Sequence, residues 1–527
     1  MDHKALVVIW LCFLAKGSFF ACFLPLWEGY DEFAHFGYVQ SVALQGMGPT
    51  EISREVEASL RLVPLPWSLR TEPSPSVTHD AYWKLPEAER SRREAALRQL
   101  APQRSQEVRM PGARPNYEVQ QPPLYYWLLA PVYWISADWG LAERVWLLRM
   151  ASVGLASLAI PLGFFFAREL FGDGRLALCG LAVFVAMPGP VMSLVRVSNE
   201  ALAIVLATAL LVAVIGVVKR PESKWAHGWL GLVLGAGLLT KAYFLALLFA
   251  VFLGVVGRRR VGRSTAIAGI IPLLMAGAYY WANVASSGSL TGEQNEVAAK
   301  SLSWLDRLRL AATVDWRNAI DSTFSSHLWF GNWSFLQLRS WMYRVWAVVY
   351  LAAGAGFVRL LNGWLPWQMV AFYGCFLAGL AYHVVIIFSV HHLSTTTGWY
   401  INCLSVAEAA LLAYGLLGWG LSPRFVFVAL IVGFGALEFF GTHFYLAPYY
   451  TGFTDHRATS FVAALDVGML GEGGWKVLLD RLLVNRPAFL SFEGMALLWA
   501  VYGLSLVVPA LVPLLILPEP RKNILSA

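Results

Sequence analysis

Apolar and polar stretches alternate along the chain on the scale of a lipid bilayer. Ala5 to Trp27 is one apolar run, long enough to cross a bilayer at about 20 residues per span. It stops abruptly at EGYDEFAHFGY (28–38), which carries Asp31 and Glu32. A polar segment follows, and the next strong apolar run is 143–167. Further runs fall at 176–195, 200–218, 228–257, 264–284, 343–361, 366–390, 399–419, 425–441 and 494–517. The pattern predicts an all-α polytopic membrane protein of about 12 (11–13) transmembrane helices in a single membrane domain, 1–527. Three polar stretches interrupt it, at 28–142, 286–340 and 442–492. The first far exceeds an ordinary connection, so it is expected to carry structure of its own.

Charge gives the orientation. Basic clusters at Lys219, Arg220 and Lys224, at Arg258 to Arg260 and Arg263, and at Arg359, Arg424, Arg521 and Lys522 fall in short connections. Placing these inside, as the positive-inside rule requires, puts the three long polar segments outside. Two apolar stretches then need separate treatment. The first, 122–136 (PPLYYWLLAPVYWIS), would reverse every later cluster if it crossed. It reads as a helix lying in the outer interface, started by Pro122 and Pro123. The second, 228–257, has basic clusters at both ends and must enter and leave on one side. Its turn, 237–244, then stops within the outer half of the membrane and carries Lys241 there. In the first loop, 86–100 has the pattern of an amphipathic charged helix.

Composition narrows the class. The chain has 527 residues, 57% hydrophobic and 14% charged, against about 25% charged in soluble domains. Its net charge of +7 comes largely from the inner connections and is not a nucleic-acid footprint. The five cysteines, Cys12, Cys22, Cys179, Cys375 and Cys403, lie in apolar segments without metal or disulfide spacing.

The candidate chemistry lies at the outer boundary. A carboxylate there is costly to bury and is a functional candidate. Asp31 is placed to act as a general base on an acceptor hydroxyl, with His35 one helical turn away. Lys241 and Arg196, in RVSNE (196–200), are placed to bind an anion, and Arg149 and Arg344 are weaker candidates. His391 and His392, ahead of TTTGWY (395–400), lack a third ligand at metal spacing and read as polar lining. Lys16, mid-span, is expected to pair with Glu408 at similar depth.

DEFAHFGYVQ (31–40), QQPPLYYWLLAP (120–131), ERVWLLRMAS (143–152), RVSNEALA (196–203) and GAGLLTKAYF (235–244) occur in that order. With SSHLWFGNWSFL (325–336) and TTTGWYINCL (395–404), this set resembles the GT-C superfamily of integral-membrane glycosyltransferases. Within it, the set resembles the bacterial branch related to protein O-mannosyltransferases and the lipid A aminoarabinose transferases. The resemblance implies a polyprenyl-phosphate-linked sugar as donor and a glycan, lipid or protein acceptor. It also implies transfer at the extracytoplasmic face of the inner membrane. It implies Asp31 as base with Glu32 as second acid, and Lys241, Arg196 and Arg149 on the donor phosphate. His35, Tyr125, His391, His392 and Tyr400 would line the substrate site. Trp399 departs from relatives, which often carry Arg before that Tyr. A glycosyl phosphate has a good leaving group, so one carboxylate base suffices and inversion follows from in-line attack. A divalent metal is compatible with this chemistry but not required. The competing readings are a transporter or flippase for polyprenyl-linked glycans, which usually shows repeat symmetry that this chain lacks, and a non-catalytic binding subunit.

Overall fold

In a computed structural model of the protein, residues 2–46, 48–49, 51–71, 77–102, 114–256, 263–457, 465, 468, 471 and 473–518 are described. Among them, nine helices are long and apolar enough to cross a bilayer, and a tenth span is a pair bent by 66°, Gly174–Ala186 with Pro188–Val195. The break falls where Pro188 opens the second helix, since its ring cannot continue the first. The ten spans coincide with the ten full-length apolar runs of the sequence. The count of twelve included the two arms of the 228–257 hairpin. Those arms are helices Lys224–Leu238 and Phe244–Val256, of 15 and 13 residues. At about 1.5 Å per residue each is shorter than the ~30 Å bilayer core.

The first polar segment is folded onto the spans. It contains helices Glu32–Gln45, Arg54–Leu62 and Glu87–Arg98, and a two-residue parallel ladder, Pro64–Leu65 with Val77–Thr78. Within Glu87–Arg98, Glu89 pairs with Arg92 and Arg93. Leu124–Ile135 is a 12-residue helix, too short to span. It buries Tyr125, Tyr126, Leu129 and Tyr133 and exposes Trp127, Trp134 and Ile135. Its Leu124 amide donates to Leu239 O at 2.9 Å, which ties the hairpin turn to it.

One carboxylate links the first polar segment to the second. Glu28, fully buried, accepts from His79 Nε2 at 2.8 Å and from Ser334 Oγ and N at 3.0 and 3.1 Å. Below it, span 1 packs Phe19, Phe20 and Phe23 against Trp499 and Tyr502 of the last span.

One expected pairing is wrong. Lys16 bonds Glu438, at 2.7 Å, and Val185 O, at 2.6 Å, instead of Glu408. Glu408 instead meets His327 Nε2 at 2.7 Å. Depth along a span fixes the level of a charge, but the neighbouring helix decides which partner at that level it meets.

Candidate active site

Asp31 stands at the turn between the first span and helix Glu32–Gln45. Its backbone is left-handed, φ 56° and ψ 14°, a conformation that costs a non-glycine residue of order 1 kcal/mol. The turn is held because the Ala34 and His35 amides both donate to Asp31 O at 3.0 Å. The partly buried side chain accepts from Tyr117 Oη at 2.9 Å. Burial pushes the Asp31 carboxyl above its ordinary range, opposed by Arg196, the Tyr117 hydrogen bond and Lys241.

The neighbouring acid behaves differently. Glu32 is fully buried and grips Arg149 through both oxygens, at 2.7 and 2.6 Å. The other N–H groups of Arg149 donate to the carbonyls of Ala21, Leu24 and Pro25 at 3.2, 2.7 and 2.7 Å. All five donors of this guanidinium are thus used inside the protein. Arg149 has none left for a phosphate, and Glu32 has no oxygen free of Arg149.

Arg196 presents the opposite case. It is 3% exposed, and its Nε and Nη1 have no hydrogen-bond partner. Its guanidinium lies 4.7 Å from the centre of the Tyr30 ring. A Cβ at Gly29 would stand 2.7 Å from Arg196 Cβ, so the chain just before Asp31 passes directly against this arginine. The turn bearing Arg196 is fixed from three sides. The Val197 amide donates to Glu32 at 3.1 Å, and the Ser198 amide to Tyr125 Oη at 2.9 Å. Asn199 Nδ2 donates to Gln121 Oε1 and Thr240 O, each at 3.0 Å. Tyr125 therefore supports the arginine turn, and it also bonds Ser152 Oγ at 2.7 Å.

Lys241 sits in the hairpin turn, buried, and is ion-paired with Glu200. Tyr243 Oη donates to the other Glu200 oxygen at 2.9 Å. The ammonium lies 5.7 Å from the ring centres of Tyr243 and Tyr400. Trp399 stacks on Tyr30 with centroids 3.8 Å apart, so the segment Gly398–Leu404 joins the same cluster.

His35 is buried, with Nδ1 2.8 Å from Tyr126 Oη and Nε2 3.9 Å from Glu118. Burial, then Lys241 and Arg196, hold its pKa well below the ordinary value, so it is neutral. Glu118, in the turn Tyr117–Gln120, is pushed up to about 8, by burial first and then by the charge of Asp31. His391 and His392 do not join the cluster. His391 bonds Asn295 at 2.7 Å, and His392 packs on Phe388. Arg344 is exposed.

The sequence reading missed Tyr30, Tyr117, Glu118 and Glu200. Glu200 was within a quoted motif, but its role as the partner of Lys241 depends on how two helices pack. Tyr117 and Glu118 stand five and four residues ahead of the PPLYY stretch, which was their only signal. Among the described residues, no group of three or more His, Cys, Asp or Glu side chains could hold a metal ion.

No family model and no curated protein matches the chain. Among solved structures it is similar to ArnT from Cupriavidus metallidurans bound to undecaprenyl phosphate, with 12% identity and a TM-score of 0.46, over 97% of this chain and 76% of that one. The apo state of the same protein aligns with 14% identity and a TM-score of 0.41, over 86% and 73% of the two chains.

Proposed function

We propose that this chain is a membrane glycosyltransferase that moves a sugar from a polyprenyl-phosphate-linked donor to an acceptor hydroxyl at the outer membrane surface. The observation that carries the reading is Arg196, a buried guanidinium with unpartnered donors beside the Asp31 turn. A buried cation without a protein partner is costly unless a ligand anion completes it. A phosphate next to a carboxylate base is the arrangement that glycosyl transfer from a glycosyl phosphate needs.

The acceptor oxygen attacks the anomeric carbon as the bond to the phosphate oxygen breaks. The hydroxyl proton passes to Asp31, and polyprenyl phosphate departs with inversion at the sugar. Arg196 stabilises the growing charge on the leaving phosphate, and Lys241 adds to the positive field while paired with Glu200. Glu32 acts through Arg149, by fixing the span end from which Asp31 projects. The raised Asp31 value suits a base that must hold a proton until the product leaves.

The test compares wild type with Asp31→Asn, both purified in lipid and given cell-extracted polyprenyl-phosphate sugars. Release of free polyprenyl phosphate should fall about 10²–10⁴-fold in the variant, the usual range for loss of a general base. Full activity in Asp31→Asn removes it as the base. Donor binding with no release by either protein, in the presence of a supplied acceptor, favours the transport or binding-subunit readings.

A further inference from the structure

A second polar cluster lies at the end of a cavity that the transfer chemistry does not use. The cavity has a volume of about 840 Å³, within the range of ligand sites. It lies between helices Trp316–Leu328, Ser340–Arg359, Trp364–His391 and Ser405–Leu417. Its walls are almost wholly apolar and include Phe357, Val370, Leu377 and Leu411. It exists because consecutive helices find different neighbours. Ser340–Arg359 packs on Ser405–Leu417, whereas Trp364–His391 packs on Phe244–Val256. Ile320, Val370 and Leu377, which line the opening, are themselves exposed on the lipid-facing surface.

Two features show that this space is built for an occupant. Gly354 and Gly374 line it from facing helices, and a Cβ at either would meet nothing within 4 Å. Neither glycine is needed for close helix packing, although each costs its helix about 0.5–1 kcal/mol relative to Ala. The second feature is the pattern of hydrogen bonding. His327 uses Nε2 on Glu408 and Nδ1 on Asn402, at 2.7 and 3.0 Å. The hydroxyls of Tyr350, Tyr373 and Thr323 and the indole of Trp316 are also engaged, with Glu408, Leu404 O, Ala319 O and Ala311 O. What is left are two buried oxygens without a partner, Glu408 Oε2 and Thr396 Oγ1. Glu408 is 6% exposed and Thr396 is 3%.

We infer that the cavity is a lipid-binding site for one hydrocarbon chain of an uncharged amphiphile whose polar end donates a hydrogen bond to Glu408 Oε2. An unsatisfied buried carboxylate oxygen costs free energy until a donor reaches it. A phosphate or carboxylate head would find only the Thr396 hydroxyl free to donate and would face the charge of Glu408. This site is therefore opposite in character to the one at Arg196, and its occupancy does not require the transfer reaction. The two share a wall. Thr396 and Ile401 face the cavity, while Trp399 and Tyr400 of the same segment face Tyr30 and Lys241.

The experiment uses the full chain in phosphatidylcholine nanodiscs, photolabelled with a diazirine-bearing hexadecanol and mapped by peptide mass spectrometry. Labelling is expected on peptides covering 316–328 and 350–377, displaced by excess unlabelled hexadecanol. Gly374→Leu, and separately Gly354→Leu on the facing wall, should each reduce it at least fivefold with an unchanged thermal midpoint. The matching hexadecanoic acid probe should label at least fivefold less than the alcohol. Glu408→Gln, which puts a donor where the free oxygen stood, should narrow that preference. Labelling that unlabelled alcohol fails to displace, that both leucine variants keep, or that is equal for alcohol and acid overturns the site. Asp31→Asn should label as wild type does, so failure here is separable from failure of the transferase reading.

Discussion

Two buried arginines stand at the C-terminal end of the first span, and they are finished differently. Arg149 spends five N–H groups on Glu32 and three carbonyls. Arg196 leaves Nε and Nη1 without a partner at similar burial. A saturated guanidinium fixes structure, and an unsaturated one is completed by something the protein does not supply. The same contrast separates the two acids. Glu32 is closed by Arg149, whereas the Asp31 side chain accepts from the Tyr117 hydroxyl and, among the described residues, pairs with no cation.

The strongest attack on this comparison is Arg149→Gln. It strands Glu32 as a buried charge, so stability should fall by about 3–5 kcal/mol, read from the thermal midpoint in lipid. A variant as stable as wild type would mean that the pair is not structural. Arg196→Gln should do the reverse. The fold holds, and donor turnover drops about 10²–10³-fold, the range for losing one oxyanion-stabilising donor. If Arg196→Gln loses stability and keeps turnover, the two arginines have been assigned the wrong way round.

A subtler break uses pH. As the proposed base, Asp31 can take a proton only when ionised, and burial has raised its value. The rate should therefore climb with pH along an acid limb lying above the ordinary carboxylate value of about 3.9. Arg196 pulls that value down, so Arg196→Gln should move the limb further up. The sign for stability is opposite. A carboxyl whose folded value exceeds its unfolded one contributes stability at low pH and loses it as pH rises through the folded value. Asp31→Asn should thus leave stability at neutral pH unchanged or slightly higher. The smallest expected effect is at Trp399→Leu, which removes the Tyr30 stack that backs Arg196. About 0.5–1.5 kcal/mol should appear in donor affinity, with the chemical step little changed.

The spans, the short helix Leu124–Ile135 and the two short arms of 228–257 were legible because each follows from length, apolarity and the side on which lysines and arginines fall. Asp31, Arg196, Lys241 and Tyr400 were legible as candidates because they stand at the ends and turns of those apolar stretches. What sequence cannot show is whether a side chain is already satisfied. Arg149 and Arg196 are the same residue type at the same boundary, and only packing distinguishes them. Lys16 was given the wrong glutamate for the same reason. His391 and His392 stand next to TTTGWY in sequence, but helix Trp364–His391 ends there with both residues exposed.

The Glu28 node sets a timetable for the chain as it is made. His79 follows Glu28 by 51 residues, but Ser334 follows it by 306. At about 5–20 residues per second, the carboxylate waits roughly 15–60 s for its last partner to be synthesised. The acidic turn three residues further on gains Tyr117, Arg149 and Val197 as neighbours well before Glu28 gains Ser334. A nascent chain arrested before Ser334 would hold the Asp31 turn against Arg149 and Val197 but leave Glu28 without its contacts to the second polar segment.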